Sequence, residues 1–151
     1  YILKNGFNQN FTNLEIGINS SNQGDGAEYI FVSKAMLAGF NASVVDVGSS
    51  DYDAIIENKS SKLLKVQVKS FSGKVFHREG RPRGGEGKDS TNRGNKPKLV
   101  TSGNCDILVA VNKKNGELLL FKGNEIDSLP KKNIKRDDYL KNWENWSKIN
   151  E

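Results

Sequence analysis

The sequence predicts an α/β fold in which a β-sheet is flanked by helices. The first observation is the helical spacing of apolar residues after Asp25, which stops at Gly39, a residue typical of a helix end. The second is the apolar run Cys105–Val111, which has the length of a buried strand. The third is the series of strand-like segments that follows the helix: Ala42–Val47, Tyr52–Ile56 and Lys62–Phe71. At 151 residues the chain is expected to form one domain.

The first 20 residues are predicted to form accessory strands beside this sheet. Asn5-Gly6 is a two-residue turn signal, and apolar residues alternate from Leu14 to Ile18. The following polar stretch, Ser21–Gly26, is expected to be a loop that leads into the helix.

The third strand-like segment has a distinctive polar face. Val66 and Val68 face one side of the predicted strand, whereas Gln67 and Lys69 face the other. An amide and an ammonium together on one face call for an explanation. One explanation is an exposed strand face, and the other is a functional site.

The order of residues from Gly24 to Phe71 resembles the PD-(D/E)XK nuclease superfamily. In that family a helix bears a Glu, a strand bears an Asp, and the next strand bears Asp, Glu or Gln followed two residues later by Lys. The matching residues here are Glu28, Asp53, Gln67 and Lys69. The version with Gln is similar to that of a bacterial homing endonuclease group, some restriction enzymes and small uncharacterised nucleases. Two features depart from the usual pattern: no Pro precedes Asp53, and Gln67 replaces an acidic residue.

The resemblance implies a restriction-endonuclease-like core with a mixed central sheet, and metal-dependent hydrolysis of DNA. Asp53 would supply the anchoring carboxylate for Mg²⁺, with Mn²⁺ as an alternative ion. Gln67, the backbone carbonyl of Val68, and Glu28 would complete the protein ligands. Lys69 would lie beside the attacked phosphate and stabilise the developing charge.

Two of these acidic residues also have structural explanations. Glu28 lies three residues after Asp25, a spacing that fits a capping box at the start of a helix. Asp53 could mark the entry to a strand, with Asp51 as the ligand in its place.

The positive charge is concentrated in one segment. Between Ser72 and Lys98, eight residues are basic and three are acidic, whereas the rest of the chain has 15 of each. Because this glycine-rich region fits no long strand or helix, residues 72–104 are predicted to be a DNA-contacting loop, with a solvated loop as the alternative. Its expected DNA contacts are Lys74, His77, Arg78, Arg81, Arg83, Lys88, Arg93, Lys96 and Lys98.

The remaining segments are expected to complete the domain. Residues 105–122 should supply the last strands of the sheet, and residues 135–150 a C-terminal helix. Tyr139, Trp143 and Trp146 would share one face of that helix, packed on the sheet or in a subunit interface.

Composition excludes several other classes. One Cys and one His exclude zinc sites built from several such residues, and there is no nucleotide-binding P-loop motif. No stretch is apolar enough to span a membrane, and no signal peptide is visible. Because a single Cys105 cannot form an internal disulfide, a cytoplasmic protein is expected.

These observations together predict a Mg²⁺-dependent, site-specific endonuclease of the homing or restriction type that acts on double-stranded DNA. A junction resolvase or a repair nuclease is the alternative, and a catalytically inactive DNA-binding module is an alternative of another class. Because one short chain carries one active site, a homodimer or homotetramer is expected.

Overall fold

The computed structural model describes residues 2–46, 51–80 and 98–151, with side chains from residue 4 onwards. Its helices are α1 (Ile2–Asn5), α2 (Ile16–Leu37) and α3 (Gly123–Ser128), and two 3₁₀ segments span Arg136–Asn142 and Trp146–Ile149. Its strands are β1 (Ala42–Val44), β2 (Ala54–Glu57), β3 (Leu63–Phe71), β4 (Val75–Phe76), β5 (Ile107–Asn112), β6 (Leu118–Lys122) and β7 (Ile134–Lys135).

Five of the strands form a mixed sheet in the order β1-β2-β3-β5-β6, which confirms the predicted α/β fold. β3 runs parallel to β5, and the other neighbours are antiparallel. A parallel pair cannot be joined by a tight hairpin, so the chain needs a long crossover between β3 and β5. The basic segment lies within this crossover.

Helix α2 covers one face of the sheet. Ala27, Phe31 and Ala35, spaced by one helical turn, are buried in a core cluster with Val66 and Val68 of β3. The alternation predicted for β3 is therefore confirmed: its valines face the helix, and Gln67 and Lys69 face the opposite side.

A second, smaller core lies on that opposite face. It is built around Phe76, Phe121, Ile126 and Ile134 and covers β5, β6 and the end of β3. In the described part of the chain this cluster contains no residue of β1 or β2. Within these described residues, the second core therefore covers one side of this face, and the polar face of β3 lies at the border of the covered part.

The prediction of N-terminal strands and of a loop at Ser21–Gly26 is wrong. Residues 2–5 form a helical turn, and α2 begins at Ile16, well before the predicted start. The alternating apolar residues did not mark a half-buried strand, since the Ile16 and Ile18 side chains are 84% and 51% exposed. The N-terminal segment is instead fixed to the β5–β6 turn, where the Phe7 N–H donates a hydrogen bond of 2.8 Å to the Lys114 carbonyl.

The predicted C-terminal helix over residues 135–150 is also wrong. Tyr139 contacts Phe121 on the second face of the sheet, with ring centroids 5.5 Å apart. Trp146 packs on Phe31 at 6.1 Å on the first face. The segment therefore crosses the β6 edge of the sheet, and aromatic residues at helical spacing contact different faces.

Part of the predicted loop at residues 72–104 is ordered structure. β4 pairs with β7, and an isolated bridge joins Glu79 to Leu99. Packing of Cys105 in the core is as predicted, and burial raises the pKa of its thiol to about 11. None of the helices in the described ranges has the length and apolarity needed to cross a bilayer.

Gly39 and Gly24 of α2 give a stability test with opposite signs. Gly39 has φ +96° and ends α2 in a Schellman arrangement, in which the Phe40 N–H donates to the Ala35 carbonyl at 3.0 Å. Gly39→Ala should lower the free energy of unfolding by about 1–2 kcal/mol because an alanine is strained at positive φ. Gly24→Ala, inside α2 with no atom within 4 Å of the added carbon, should raise it by about 0.5–1 kcal/mol.

Urea unfolding of both variants measures the two effects. Unchanged stability in Gly24→Ala would contradict a helix that begins at Ile16, because a glycine in a loop gains nothing from helix propensity.

Candidate active site

The site is centred on Asp53, which directly precedes β2. At this point the neighbouring strand β3 continues beyond its pairing with β2. Oδ2 of Asp53 accepts hydrogen bonds from the Val68 N–H at 2.9 Å and from Nε2 of Gln67 at 2.7 Å. The Asp53 N–H donates to the Val66 carbonyl at 2.8 Å. The Asp53 side chain therefore accepts the hydrogen bond from Val68 that a further residue of β2 would otherwise accept through its backbone.

The Val68 carbonyl lies on the same edge of β3. The carbonyls of Lys65 and Phe71 accept hydrogen bonds from residues at the two ends of β5, at 2.9 and 2.7 Å. Because successive residues of a strand direct their backbone groups to opposite edges, Val66 and Val68 direct theirs towards β2. The Val68 carbonyl therefore faces the edge that Asp53 occupies.

Glu28 reaches this edge from α2. Its pKa is raised from 4.5 to about 7, first by burial and then by the negative charge of Asp53, with which it also shares a hydrogen bond. Asp25 and Asp46 add further negative charge. The structure thus brings the predicted Glu28, Asp53 and Gln67 together with Asp46, a residue that no sequence motif marked.

The structural explanation of Glu28 as a capping residue is wrong. α2 begins at Ile16, so Asp25 and Glu28 lie inside the helix and not in its first turn. Asp51, the alternative to Asp53, is exposed and forms an ion pair with Lys98 that lowers its pKa. Asp53, not Asp51, contacts Gln67 and Val68.

Lys69 lies beside the base of the basic segment. A β-carbon placed on Gly80 would be 3.5 Å from Nζ of Lys69 and 3.5 Å from the Lys98 carbonyl. The Gly80 N–H donates to that carbonyl at 2.8 Å, and the Val100 N–H donates to the Arg78 carbonyl at 3.1 Å. Gly80 and Lys98, the two residues that flank positions 81–97, are therefore bonded to each other, and Gly80 lies beside the predicted catalytic lysine.

The predicted DNA contacts have different placements. Lys74, His77 and Lys98 are exposed. Arg78 is only 6% exposed and donates from Nη1 to the Val100 carbonyl at 3.0 Å, so its prediction as a DNA contact is wrong: the guanidinium anchors the base of the segment. The others, Arg81, Arg83, Lys88, Arg93 and Lys96, lie outside the described residues.

The donor set suits Mg²⁺ better than a soft metal. In residues 2–46, 51–80 and 98–151, no three His, Cys, Asp or Glu side chains converge as a metal-binding group. The available donors are the carboxylates of Glu28 and Asp53, the amide of Gln67 and the carbonyl of Val68. Mg²⁺ typically takes one or two carboxylates and keeps several waters, so hard oxygen donors in this number fit it.

The fold is shared with a bacterial homing endonuclease. The chain is similar to the solved structure of I-Ssp6803I, described as a bacterial homing endonuclease, with a TM-score of 0.57 over 76% of each chain. The two sequences are 21% identical, so the likeness concerns the fold. No family model matches the sequence, and no curated protein matches it.

Three lysines near the site were not singled out from the sequence. They lie in the turn between α3 and β7 and at the end of β7, and they are Lys131, Lys132 and Lys135. The Lys131 carbonyl accepts hydrogen bonds from the N–H groups of Arg78 and Glu79 at 3.2 and 3.0 Å. The net charge along the chain does not reveal these lysines, because acidic residues outside the basic segment, among them Asp137 and Asp138, balance its basic residues.

Gln67→Glu tests the contact between Gln67 and Asp53. The change replaces an N–H donor, now 2.7 Å from Oδ2 of Asp53, by a second carboxylate. In EDTA we expect the free energy of unfolding to fall by about 1–3 kcal/mol, because Oδ2 loses a donor and gains a like charge.

Ser70→Glu is the matched control, since it adds the same charge to an exposed position of the same strand. Equal losses in the two variants would contradict a specific contact between Gln67 and Asp53.

Proposed function

We propose that this chain is a metal-dependent endonuclease acting on double-stranded DNA. The observation that carries the proposal is the convergence of Glu28, Asp53 and Gln67, from three separate elements, on one edge of β3. Lys69 follows on the same face of the strand, beside the base of a strongly basic segment. The fold shared with a bacterial homing endonuclease supports the same activity.

The chain's own residues would hold and orient the reacting groups. Asp53, Glu28, Gln67 and the Val68 carbonyl would hold Mg²⁺, which would supply Lewis acidity and lower the pKa of a bound water. Asp53 is oriented for this role by its hydrogen bonds from Val68 and Gln67. Lys69 would donate to the phosphate oxygens and stabilise the charge that develops on them.

The basic segment favours a site-specific enzyme of the homing or restriction type. Arginine side chains can read guanine in the major groove, and lysines neutralise phosphates. Because the segment departs beside Lys69, DNA held by it would lie at the candidate active site. The alternatives are a junction resolvase or repair nuclease, and an inactive DNA-binding module with the same fold.

The proposal predicts Mg²⁺-dependent cleavage that requires Asp53 and Lys69. Asp53→Ala and Lys69→Ala should each lower the rate by on the order of 10²–10³, because each removes an electrostatic contact with the reacting groups. Plasmid cleavage in Mg²⁺ and in EDTA measures this. Gln67→Glu should keep activity in Mg²⁺ if Gln67 is a ligand, since a carboxylate can fill the same position.

Two neighbouring substitutions control for non-specific loss. Asp51→Ala removes an exposed carboxylate two residues from Asp53, and Lys65→Ala removes an exposed ammonium from β3; both should retain most activity. Cleavage in EDTA, or unchanged rates in Asp53→Ala and Lys69→Ala, would refute the assignment of the site. DNA binding by the wild type with no cleavage under any divalent ion would favour the inactive module.

We further propose that the enzyme acts as a homodimer or homotetramer, since cutting two strands calls for two active sites. Of the three C-terminal aromatic residues, Trp143 is 49% exposed, whereas Trp146 packs against the core and Tyr139 contacts Phe121, so the three do not form one exposed face. Exposed apolar residues instead lie before and along α2 on the outer surface, namely Phe11, Ile16, Ile18, Tyr29, Met36 and Leu37.

The substitutions Ile18→Asp and Met36→Asp test this interface. Ile18, Tyr29 and Met36 are spaced so that they share one side of α2, and charged residues there should oppose association. Sedimentation should show an oligomer for the wild type and a larger monomer fraction for the double variant. A monomeric wild type, both free and on duplex DNA, would exclude the oligomer and leave a nicking enzyme.

A further inference from the structure

The small sheet formed by β4 and β7 has one buried and one exposed side. Phe76 and Ile134 are paired and point into the second core. Their neighbours Val75 and Lys135 are also paired and are exposed. The core therefore fixes the orientation of the outer side, which presents a cationic residue to the surroundings.

Exposed cationic residues flank the two strands of this small sheet along the chain. They come from the ends of the two strands and from the turn that precedes β7, and they are Lys74, Lys131, Lys132 and Lys135. We call these four residues and His77 the β4–β7 basic surface. Among the described residues, the one ion pair they form is a loose contact of 3.8 Å between Lys132 and Glu79. Nearby Arg136 is bonded to Glu117 and Asp137.

His77 contributes an oriented donor to the same surface. Its Nδ1 accepts the Asn133 N–H at 2.9 Å, and its side chain is exposed. In the neutral ring the proton is then on Nε2, which lies on the other side of the imidazole and is able to donate outward. A hydrogen-bond donor among lysine ammonium groups suits an anionic ligand with exposed oxygens.

The surface lies close to the candidate active site. His77 precedes Gly80 by three residues, a reach of roughly 10 Å in extended chain. The Lys131 carbonyl binds the N–H groups of both Arg78 and Glu79, so the turn before β7 is fixed to this connection. Gly80 in turn lies beside Nζ of Lys69. On DNA, where each strand rises about 3.4 Å per nucleotide, this separation corresponds to a few nucleotides.

We propose that the β4–β7 basic surface binds the phosphate backbone of duplex DNA a few nucleotides from the bond cleaved. This inference rests on the proposed nuclease function and extends it. Contacts to phosphates fix the position of a protein on DNA and carry no base specificity. The surface is therefore a positioning site: it holds the duplex so that the scissile phosphate lies at Lys69, independently of the sequence recognised.

The test compares two double variants matched in charge. Lys131→Gln with Lys135→Gln removes two exposed charges from the surface, whereas Lys59→Gln with Lys62→Gln removes two exposed charges near the β2–β3 turn. Binding to a 30-base-pair duplex of arbitrary sequence is measured against salt concentration in EDTA. Each lost phosphate contact should reduce the slope of log K against log salt by about 0.9, so the surface variant should lose about 1.8.

In practical terms, the wild-type affinity should fall about tenfold more between 50 and 200 mM salt than that of the surface variant. The control variant should keep the wild-type slope. Lys131→Arg with Lys135→Arg should also keep it, since the charge is retained, and this variant separates charge from any effect on folding.

The outcomes separate the two proposals. A wild type that binds no duplex at any salt concentration would overturn the nuclease function itself. Duplex binding with the same slope in the wild type and both glutamine variants would overturn the positioning surface alone. An equal loss of slope in the surface and control variants would also overturn it, because the effect would then be one of total charge.

Discussion

The hydrogen bond from the Val68 N–H to the Asp53 carboxylate is the interaction on which the site depends. β2 begins at Ala54, directly after Asp53, whereas its partner β3 continues past Val66 to Phe71. The Asp53 carboxylate, in place of a strand, satisfies the Val68 N–H there. Because no described strand pairs with β3 on this side beyond β2, the sheet has an opening at this edge. Glu28 approaches the opening from α2.

The two cores place the remaining groups around this opening. Because α2 buries the valines of β3, Gln67 and Lys69 must face the other side. Among the described residues the second core covers β5, β6 and the end of β3, and Gln67 on that side is half-buried. The parallel pairing of β3 with β5 requires a long crossover, and this crossover leaves the sheet next to Lys69. Topology thus brings Gly80, which precedes residues 81–97, to Lys69.

Sequence patterns identified the parts of the fold that are determined locally. The alternation of β3 and the glycine after α2 reflect strand geometry and positive φ, which neighbouring residues set. The start of α2 was missed because its first turns contain Gly, Asn and exposed Ile and show no apolar stripe. The C-terminal aromatic residues and Arg78 were misread because their contacts come from distant strands and loops, which spacing in the sequence cannot show.

The residues that flank positions 81–97 are held together largely by hydrogen bonds between backbone atoms. The Gly80 and Val100 N–H groups bond to the Lys98 and Arg78 carbonyls, and such bonds are indifferent to the side chains between them. The hydrogen bonds that hold Gly80 beside Lys69 therefore do not depend on which side chains occupy positions 81–97. Such an arrangement lets the sequence of this interval diverge while the backbone beside Lys69 keeps its hydrogen bonds. A replacement of the whole interval would leave the contacts among Glu28, Asp53 and Gln67 in place.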